Sequence, residues 1–583
     1  MHRGRERVGT QVGEWLNPTT DPTPDIIPYQ RPTDWLSLPD IPLGTQKIYI
    51  LHAVFDCDTN FVSFTCQDAY TVDWGDGSAP ENFAWNTQAS HVFDYDDFPG
   101  TECSRGYRQA IITITPQGGG NLVYAIFDKK HPSAGYYCTT GILYVKMRSA
   151  EFLYFHFFWD GQAPSDMLEE FEFLGTSKLV YFWNMFQNCY SLVKCKIDLG
   201  NTLTFGNSMF ANCYSLREVS LTGTSALTTM ASMFAYCYSL KIAPDMDTSN
   251  VTTMTSAFVF CSNLESVPAY NTVNVTVFSN MFNGCSKLRR VPSFDISKAT
   301  TLEAMFYNCK SLQAAPSLTF PTTVATTKNM FCNCFNIKTV PLYDLSHVTN
   351  ASDMFSNCSS LKIVPNFDLS SATDLSNMFV ACISMSEVGD LKTPIATNMW
   401  GMFYLCFSLR SIVGIDTSNA TNTSFMFAEC YNLKSILILN LSKVTDASYM
   451  FANCYVLQSV PLFVMNTTGS MDVSYMFYAC RTLNNIAFIN GSKFLTSVLS
   501  MFALCYSLRI AAIDDLTITS GQSFSLASCN LARAELVDIF NGLHDYAGGG
   551  GTYTLVITGN WGAASLSAAE LLVGTNRGWS IVI

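Results

Sequence analysis

MFSNCSSLKIVPNFDLS, residues Met354 to Ser370, is one copy of a pattern that this 583-residue chain repeats fifteen times. The cysteines mark the register, from Cys189 through Cys358 to Cys529, with gaps of 24 residues except two of 25 and one of 26. Thirteen copies place Met-Phe four and three residues before the Cys, and only Ala257-Phe258 and Ser525-Leu526 depart from that. Three residues after the Cys stands Leu in twelve copies, with Ile337 and Met385 as apolar substitutes. A short β-type piece follows, often Val-Pro as in Val364-Pro365, and an Asp-x-Ser turn such as Asp368/Ser370 closes many copies. A unit of 24 residues cannot bury its own apolar face. Such units stack, so that Met, Phe, Cys, Leu and Val form inward ladders. Proline limits pairing beside the short strand, and Asp or Ser satisfies turn backbone. With strands stacked about 4.8 Å apart, fifteen coils predict a rod on the order of 70 Å long.

Twenty-one cysteines suggest a disulfide framework or a zinc site until their spacing is read. Zinc needs converging ligand pairs, and the one close pair is Cys332 and Cys334. Pairing along the stack would leave one of fifteen ladder thiols without a partner. Free cysteine in an apolar stack behaves as a small hydrophobe, which is the plainer expectation. The net charge of −13 and the lack of any basic run beyond MHRGRER argue against nucleic acid as a partner. No run reaches the roughly 18 apolar residues of a membrane span; the longest candidate, Glu151 to Trp159, carries Glu151 and His156 and reads as a buried strand. The first twenty residues hold no apolar secretory core, so synthesis in a cytoplasm is expected.

The pattern MF-x-x-C-x-S-L-x-x-V-P-x-x-D-x-S closely resembles the BspA-like leucine-rich repeat, over roughly residues 165 to 530. That resemblance implies adhesion or protein recognition, as in bacterial surface adhesins, protozoan surface proteins and phage-encoded proteins. Ahead of the repeats, KIYILHAVF, AYTVDWGDG, QAIITITPQ, LVYAIF and ILYVKM read as short strands. Within them, Val72 to Gly77 (VDWGDG) followed by HVFDY at His91 to Tyr95 is similar to PKD-type β-sandwich modules. Gly75 and Gly77 suit a tight turn with Asp76 bonded to its backbone; calcium held by Asp73 and Asp76 is the alternative reading. The module has no catalytic role in the families it resembles. Residues 1–45 are polar and Pro-rich, either a disordered tail or an arm that docks on a neighbouring subunit. After Cys529, two short helices and two strands, ending GWSIVI, would cover the last open coil. The order of module, repeats and cap resembles that of phage-encoded repeat proteins.

The sequence therefore predicts an α/β leucine-rich-repeat solenoid of about 15 coils of 24 residues, with an N-terminal β-sandwich domain and a small α/β C-terminal cap. The expected divisions are an arm over 1–45, a PKD-like sandwich over 46–145, the solenoid over 146–530 and the cap over 531–583. No nucleophile elbow, metalloprotease helix, phosphate loop or dinucleotide loop is present, and seven scattered histidines have no ligand spacing. A carboxylate pair drawn from the turn Asp series would suit glycosidase chemistry, but one Asp per coil is explained by turn geometry. No enzyme, catalytic residue, cofactor or metal is expected. The residue after the Cys is aromatic in eight coils: Tyr190, Tyr214, Tyr238, Phe335, Phe407, Tyr431, Tyr455 and Tyr506. These rings either pack into the next coil or form an exposed platform for a host surface protein or glycan. The expected role is a non-enzymatic phage virion surface protein: a capsid decoration, head fibre or tail-associated fibre. The arm and PKD-like module would bind other virion proteins, in a homo-oligomer without membrane insertion. The alternative is a bacterial cell-surface adhesin of the BspA type.

Overall fold

The computed structural model describes residues 33–57, 60–127, 141–156, 167–176, 178–179, 185–436, 439–460, 463–466, 470–486, 495–510, 518, 521–547, 549 and 551–583. The chain opens with nine strands: β1 Lys47–Val54, β2 Phe61–Cys66, β3 Tyr70–Asp73, β4 Glu81–Phe83, β5 Gln88–Val92, β6 Arg108–Pro116, β7 Tyr124–Ile126, β8 Ile142–Arg148 and β9 Tyr154–His156. Three more, β10 Glu170–Thr176, β11 Lys194–Asp198 and β12 Glu218–Thr222, begin the repeats. Two sheets result, ordered β12-β11-β10-β8-β1-β6-β3-β4 and β5-β2-β7-β9. Ile48 and Ile50 of β1 face Val62 and Phe64 of β2 in the core between them.

β1 is buried on both faces, against the usual alternation of a half-covered strand. Its outer residues Leu51 and Ala53 lie under Trp35 and Leu38, together with Tyr107 and Leu143. Lys146 Nζ donates to Asp40 (2.7 Å), Leu36 N–H donates to Gln109 Oε1 (2.8 Å), and Ile41 is buried beside them. The described part of the Pro-rich segment, from residue 33, thus docks on the chain's own sheet; residues 1–32 of the expected arm lie outside the described residues. The boundary expected at 145/146 falls inside β8. One edge of β8 pairs antiparallel with β1 (Ile50 opposite Val145), while the other pairs parallel with β10 (Phe171 opposite Val145). Sandwich and solenoid therefore share one sheet.

The coils that follow are a leucine-rich-repeat solenoid. Two parallel ladders run along them, seen at Glu387–Leu391 beside Ser411–Ile415 and at Thr229 beside Thr253, itself beside Val277. Turns join them, and among the described residues no coil contains a helix. The reason lies in two left-handed residues per coil. The residue before every ladder Cys has positive φ, from Asn188 (65°) to Ser528 (57°). The residue before the Met does so in most coils, for example Ser232 (55°) and Asp353 (56°). Left-handed residues cannot continue a right-handed helix, so the segment curls into consecutive turns and hands its N–H groups to the next coil, as Asn212 N–H does to Ala235 O (2.8 Å).

The interior is a stack of like upon like. The Phe rings run face to face from Phe186 to Phe502, with centroids 5.3–5.7 Å apart along steps such as Phe331–Phe355–Phe379. The ladder thiols are fully or almost fully buried and unoxidised. From Cys213 to Cys529 each donates to the Phe carbonyl one coil earlier, as Cys213 does to Phe186 O (3.0 Å) and Cys358 to Phe331 O (3.3 Å). That carbonyl also accepts the N–H of its own coil's Cys, so both lone pairs are used. On the surface, Thr252 Oγ1 donates to Thr228 O and Thr276 Oγ1 to Thr252 O, a hydroxyl ladder that recurs in later coils. A parallel three-stranded sheet, Ser523–Ser525, Tyr553–Val556 and Trp579–Val582, closes the far end. Helices Arg533–Gly542 and Ala568–Asn576 flank it, tied by Arg533 to Glu570 (2.6 Å). These carry the helical share of the α/β fold.

Candidate recognition surface

Six of the eight aromatic candidates gather into two stacks of three. Tyr190, Tyr214 and Tyr238 follow one another at 4.8 and 5.1 Å; Phe407, Tyr431 and Tyr455 at 4.7 and 4.8 Å. The Arg481 guanidinium covers the open face of Tyr455 at 4.4 Å. Phe335 is half-buried and Tyr506 exposed (42%), and neither belongs to a stack. All eight reach the surface, yet stacking along the axis turns ring edges and hydroxyls outward and covers the faces. The columns offer hydrogen bonding and edge contact, each stacked pair adding about 0.5–1.5 kcal/mol. Tyr431 Oη donates to Glu429, whose other oxygen accepts Asn453 Nδ2 (2.7 Å). Burial and the Glu429 charge push the Tyr431 phenol well above its ordinary range.

Two further stacks escaped the sequence reading. Tyr236 and Phe260 pair at 5.3 Å, both partly exposed. Phe425, Tyr449 and Tyr475 stack at 4.6 Å per step, with Trp400 and Tyr404 against Phe425. All five stacked rings of these two groups sit on left-handed backbone, where bulky side chains are uncommon. The available signal was recurrence at one register position in adjacent coils.

The WGDG segment is held by its own turn. Gly75 has φ 79°, and a Cβ there would lie 2.5 Å from Ile111 O. Asp73 Oδ1 accepts from Gly75 N–H (3.0 Å) and Asp76 Oδ1 from Ser78 N–H (2.9 Å). Asp76 Oδ2 meets His91 Nε2 at 2.8 Å, and the His91 ring stacks on Trp74 at 4.6 Å. Burial raises the Asp76 carboxyl, but the bonds from Ser78 and the His91 contact leave it below the ordinary value. The calcium candidates Asp73 and Asp76 are thus engaged by backbone and imidazole, and among the described residues no His, Cys, Asp and Glu group is arranged to hold a metal ion.

The remaining candidates for chemistry are occupied by structure. Asp247, Asp295, Asp344, Asp368 and Asp416 each accept the N–H two residues on, at 2.8–3.1 Å. Asp198 does the same for Gly200 N–H (2.9 Å). Burial pushes the ladder thiols Cys213, Cys285 and Cys358 far above the ordinary cysteine range, which removes the nucleophilic thiolate. Among the described residues no helix is long and apolar enough to cross a membrane.

The fold is that of a leucine-rich-repeat solenoid. The chain belongs to the DUF285 family, described as "Mycoplasma protein of unknown function", whose pattern matches residues 204–319, 241–339, 325–437 and 397–512 and so covers more than half of the chain. Among solved structures, a leucine-rich-repeat protein from Eubacterium ventriosum aligns over 57% of this chain and 88% of its own, at 15% identity and a TM-score of 0.30. The leucine-rich-repeat ectodomain of the receptor kinase GASSHO1/SCHENGEN3 from Arabidopsis thaliana aligns over 76% of this chain and 58% of its own, at 13% identity and a TM-score of 0.21. No curated protein matches the chain.

Proposed function

We propose that the protein is a non-enzymatic virion surface component of a phage: a capsid decoration, head fibre or tail-associated fibre that presents its solenoid for adhesion. The observation that carries the scaffold reading is the sheet running unbroken from β1 through β8 and β10 into the coils. It joins the sandwich rigidly to the coil stack, which suits a mount and a strut. In this reading the sandwich is a PKD-like module that attaches the chain to other virion proteins in a homo-oligomer. The coils face a host surface protein or glycan, and the protein is assembled in the host cytoplasm. The order of module, repeats and cap supports the virion assignment, by resemblance to phage-encoded repeat proteins. The occupied thiols and turn carboxylates support a binding role over catalysis.

A second reading is a bacterial cell-surface adhesin of the BspA type, favoured by the family description, which names a cellular organism. Mass spectrometry of density-purified particles decides between them. The virion reading expects the chain at a fixed, wash-resistant ratio to the major capsid protein, hundreds of copies for a decoration and tens or fewer for a tail part. Recovery in host envelope fractions alone would replace it with the adhesin.

A further inference from the structure

The chain's negative charge is not spread evenly. Residues 1–179 hold 12 basic and 23 acidic side chains, whereas residues 180–530 hold 19 of each and are neutral. Within the coils the two signs separate. The position four residues after the Cys is Arg or Lys in many coils, and the turn Asp comes six residues later, at the other end of the strand.

The separation is sharpest over the four coils of Cys285, Cys309, Cys334 and Cys358. The five residues after each of those cysteines include Lys287, Arg289, Arg290, Lys310, Lys338 and Lys362 and no carboxylate. Lys287, Arg289, Arg290, Lys338 and Lys362 are exposed, and among the described residues none of these five enters an ion pair. Three other coil lysines are paired: Lys194 with Glu218, Lys196 with Glu172 and Lys392 with Asp368, each at 3.0 Å. The backbone holds the cations in line. Gln313 N–H donates to Arg289 O (3.2 Å) and Lys338 N–H to Gln313 O (3.1 Å), so Arg289 and Lys338 stand two coils apart, about 10 Å. The turn carboxylates of these coils, Asp295, Asp344 and Asp368, accept from their own Ser N–H groups, and the coils' other two acidic residues, Glu303 and Asp353, precede the Met-Phe segments and lie outside the strand that carries the cations.

A straight row of unneutralised cations at a fixed rise fits a linear polymer whose anionic groups recur at a similar interval. The same coils interrupt the aromatic column: the residue after the Cys is Ser286, Lys310, Phe335 and Ser359. One ring in four coils gives nucleobases no run of stacking partners, which single-stranded nucleic acid binding uses. Ser286, Ser311, Asn336 and Ser360 instead set hydroxyl and amide groups among the cations, suited to sugar hydroxyls.

We propose that the row of Arg289, Arg290, Lys338 and Lys362, flanked by Lys287 and Lys310, binds an acidic polysaccharide, a uronic acid chain with one carboxylate per sugar. This deepens the adhesion reading and rests on it, but particle composition and polymer binding are separate measurements, so either can fail alone. The test uses the full chain and immobilised polygalacturonate, with dextran and a single-stranded RNA homopolymer alongside. The wild type is expected to bind polygalacturonate with an affinity that falls as salt is added, and to ignore dextran. R289Q/R290Q/K338Q is expected to weaken binding about tenfold, as loss of three exposed charge contacts predicts. K298Q/K392Q/K443Q, equal in charge change but outside the row, should change it less than about twofold, and K338R/K362R should bind as wild type. Unchanged thermal unfolding of the variants separates lost binding from lost fold. Four results overturn the proposal: no binding by the wild type, equal loss in both triple variants, tighter binding of RNA than of polygalacturonate, or self-association of the chain that the first triple variant abolishes while polygalacturonate is ignored.

Discussion

Replacing Phe355 by alanine removes one ring from the middle of the phenylalanine spine. The ring is fully buried and lies 5.5 Å from Phe331, 5.7 Å from Phe379 and 6.0 Å from Phe367, within 7° of parallel to each. Truncation of a buried Phe costs about 3–5 kcal/mol through lost transfer energy and the residual cavity. Coils above and below are pinned by their own cross-coil bonds, including Phe355 N–H to Met378 O (2.9 Å), so the cavity has little freedom to collapse and the upper half of the range applies. Phe355→Leu keeps most of the volume and loses the stacking. With two axial neighbours at about 0.5–1.5 kcal/mol each, it should cost about 1–3 kcal/mol. Because each coil touches only its neighbours, the damage should be local. Hydrogen exchange read by mass spectrometry is the assay, comparing amides of residues 331–379 with those of the first and last coils. The expected result is faster exchange centred on residues 331–379, larger for Ala than for Leu. Equal effects of the two substitutions would show that ring stacking contributes nothing beyond volume. A uniform loss of protection along the whole rod would refute the nearest-neighbour account.

Three other outcomes follow from the geometry. Burial holds the His52 imidazole neutral and lowers its pKa from 6.5 to about 4; since the folded value is the lower one, its stability contribution is complete above about pH 6.5 and is lost as pH falls toward 4. The loss amounts to about 3 kcal/mol; unfolding midpoints followed by tryptophan fluorescence should drop across that window in the wild type and drop less in His52→Leu. Gly75→Ala should destabilise the sandwich by more than 2 kcal/mol, since ~1–2 kcal/mol of left-handed strain is joined by the clash with Ile111 O. Gly77→Ala, at φ 84° in open space, should show the strain alone; urea titration of both variants compares them. Trp35→Ala should loosen the segment that covers Leu51 and Leu143, read as faster proteolysis between residues 33 and 45 with the coils intact.

The repeat was legible because its message is carried by side chains whose chemistry varies little: Phe at the spine, Cys as a small buried donor, Leu behind the strand. The backbone trick that shapes each coil was not. The left-handed position before the Cys is Asn or Gly in seven coils, such as Asn188 and Gly284, but Tyr236, Ala381, Leu405 and Glu429 fill it elsewhere, and no property of side chains unites the whole set. What fixes that conformation is the next coil's carbonyl, a partner 23 residues away. The docking of Trp35 and the sharing of β8 were hidden for a related reason. A Pro-rich stretch reads as coreless alone, and β8 reads as ending the sandwich, until the partners of its second edge are known. Of the recognition surface, the register of the tyrosines was readable and their mutual stacking was not, since ring orientation depends on the coil spacing.

The cross-coil bonds have a consequence for size. Most coils offer their successor the same terms: a ring to lie on, a Phe carbonyl for the incoming thiol and, up to Thr445, a backbone carbonyl for the incoming hydroxyl. Nothing in that set records how many coils have gone before. Insertion or deletion of whole 24-residue blocks would leave sandwich and cap unaltered and move them apart or together in increments of one coil rise, about 4.8 Å. The molecule is a ruler graduated in coils, and a lineage could retune the distance between its two ends by unequal crossing-over alone.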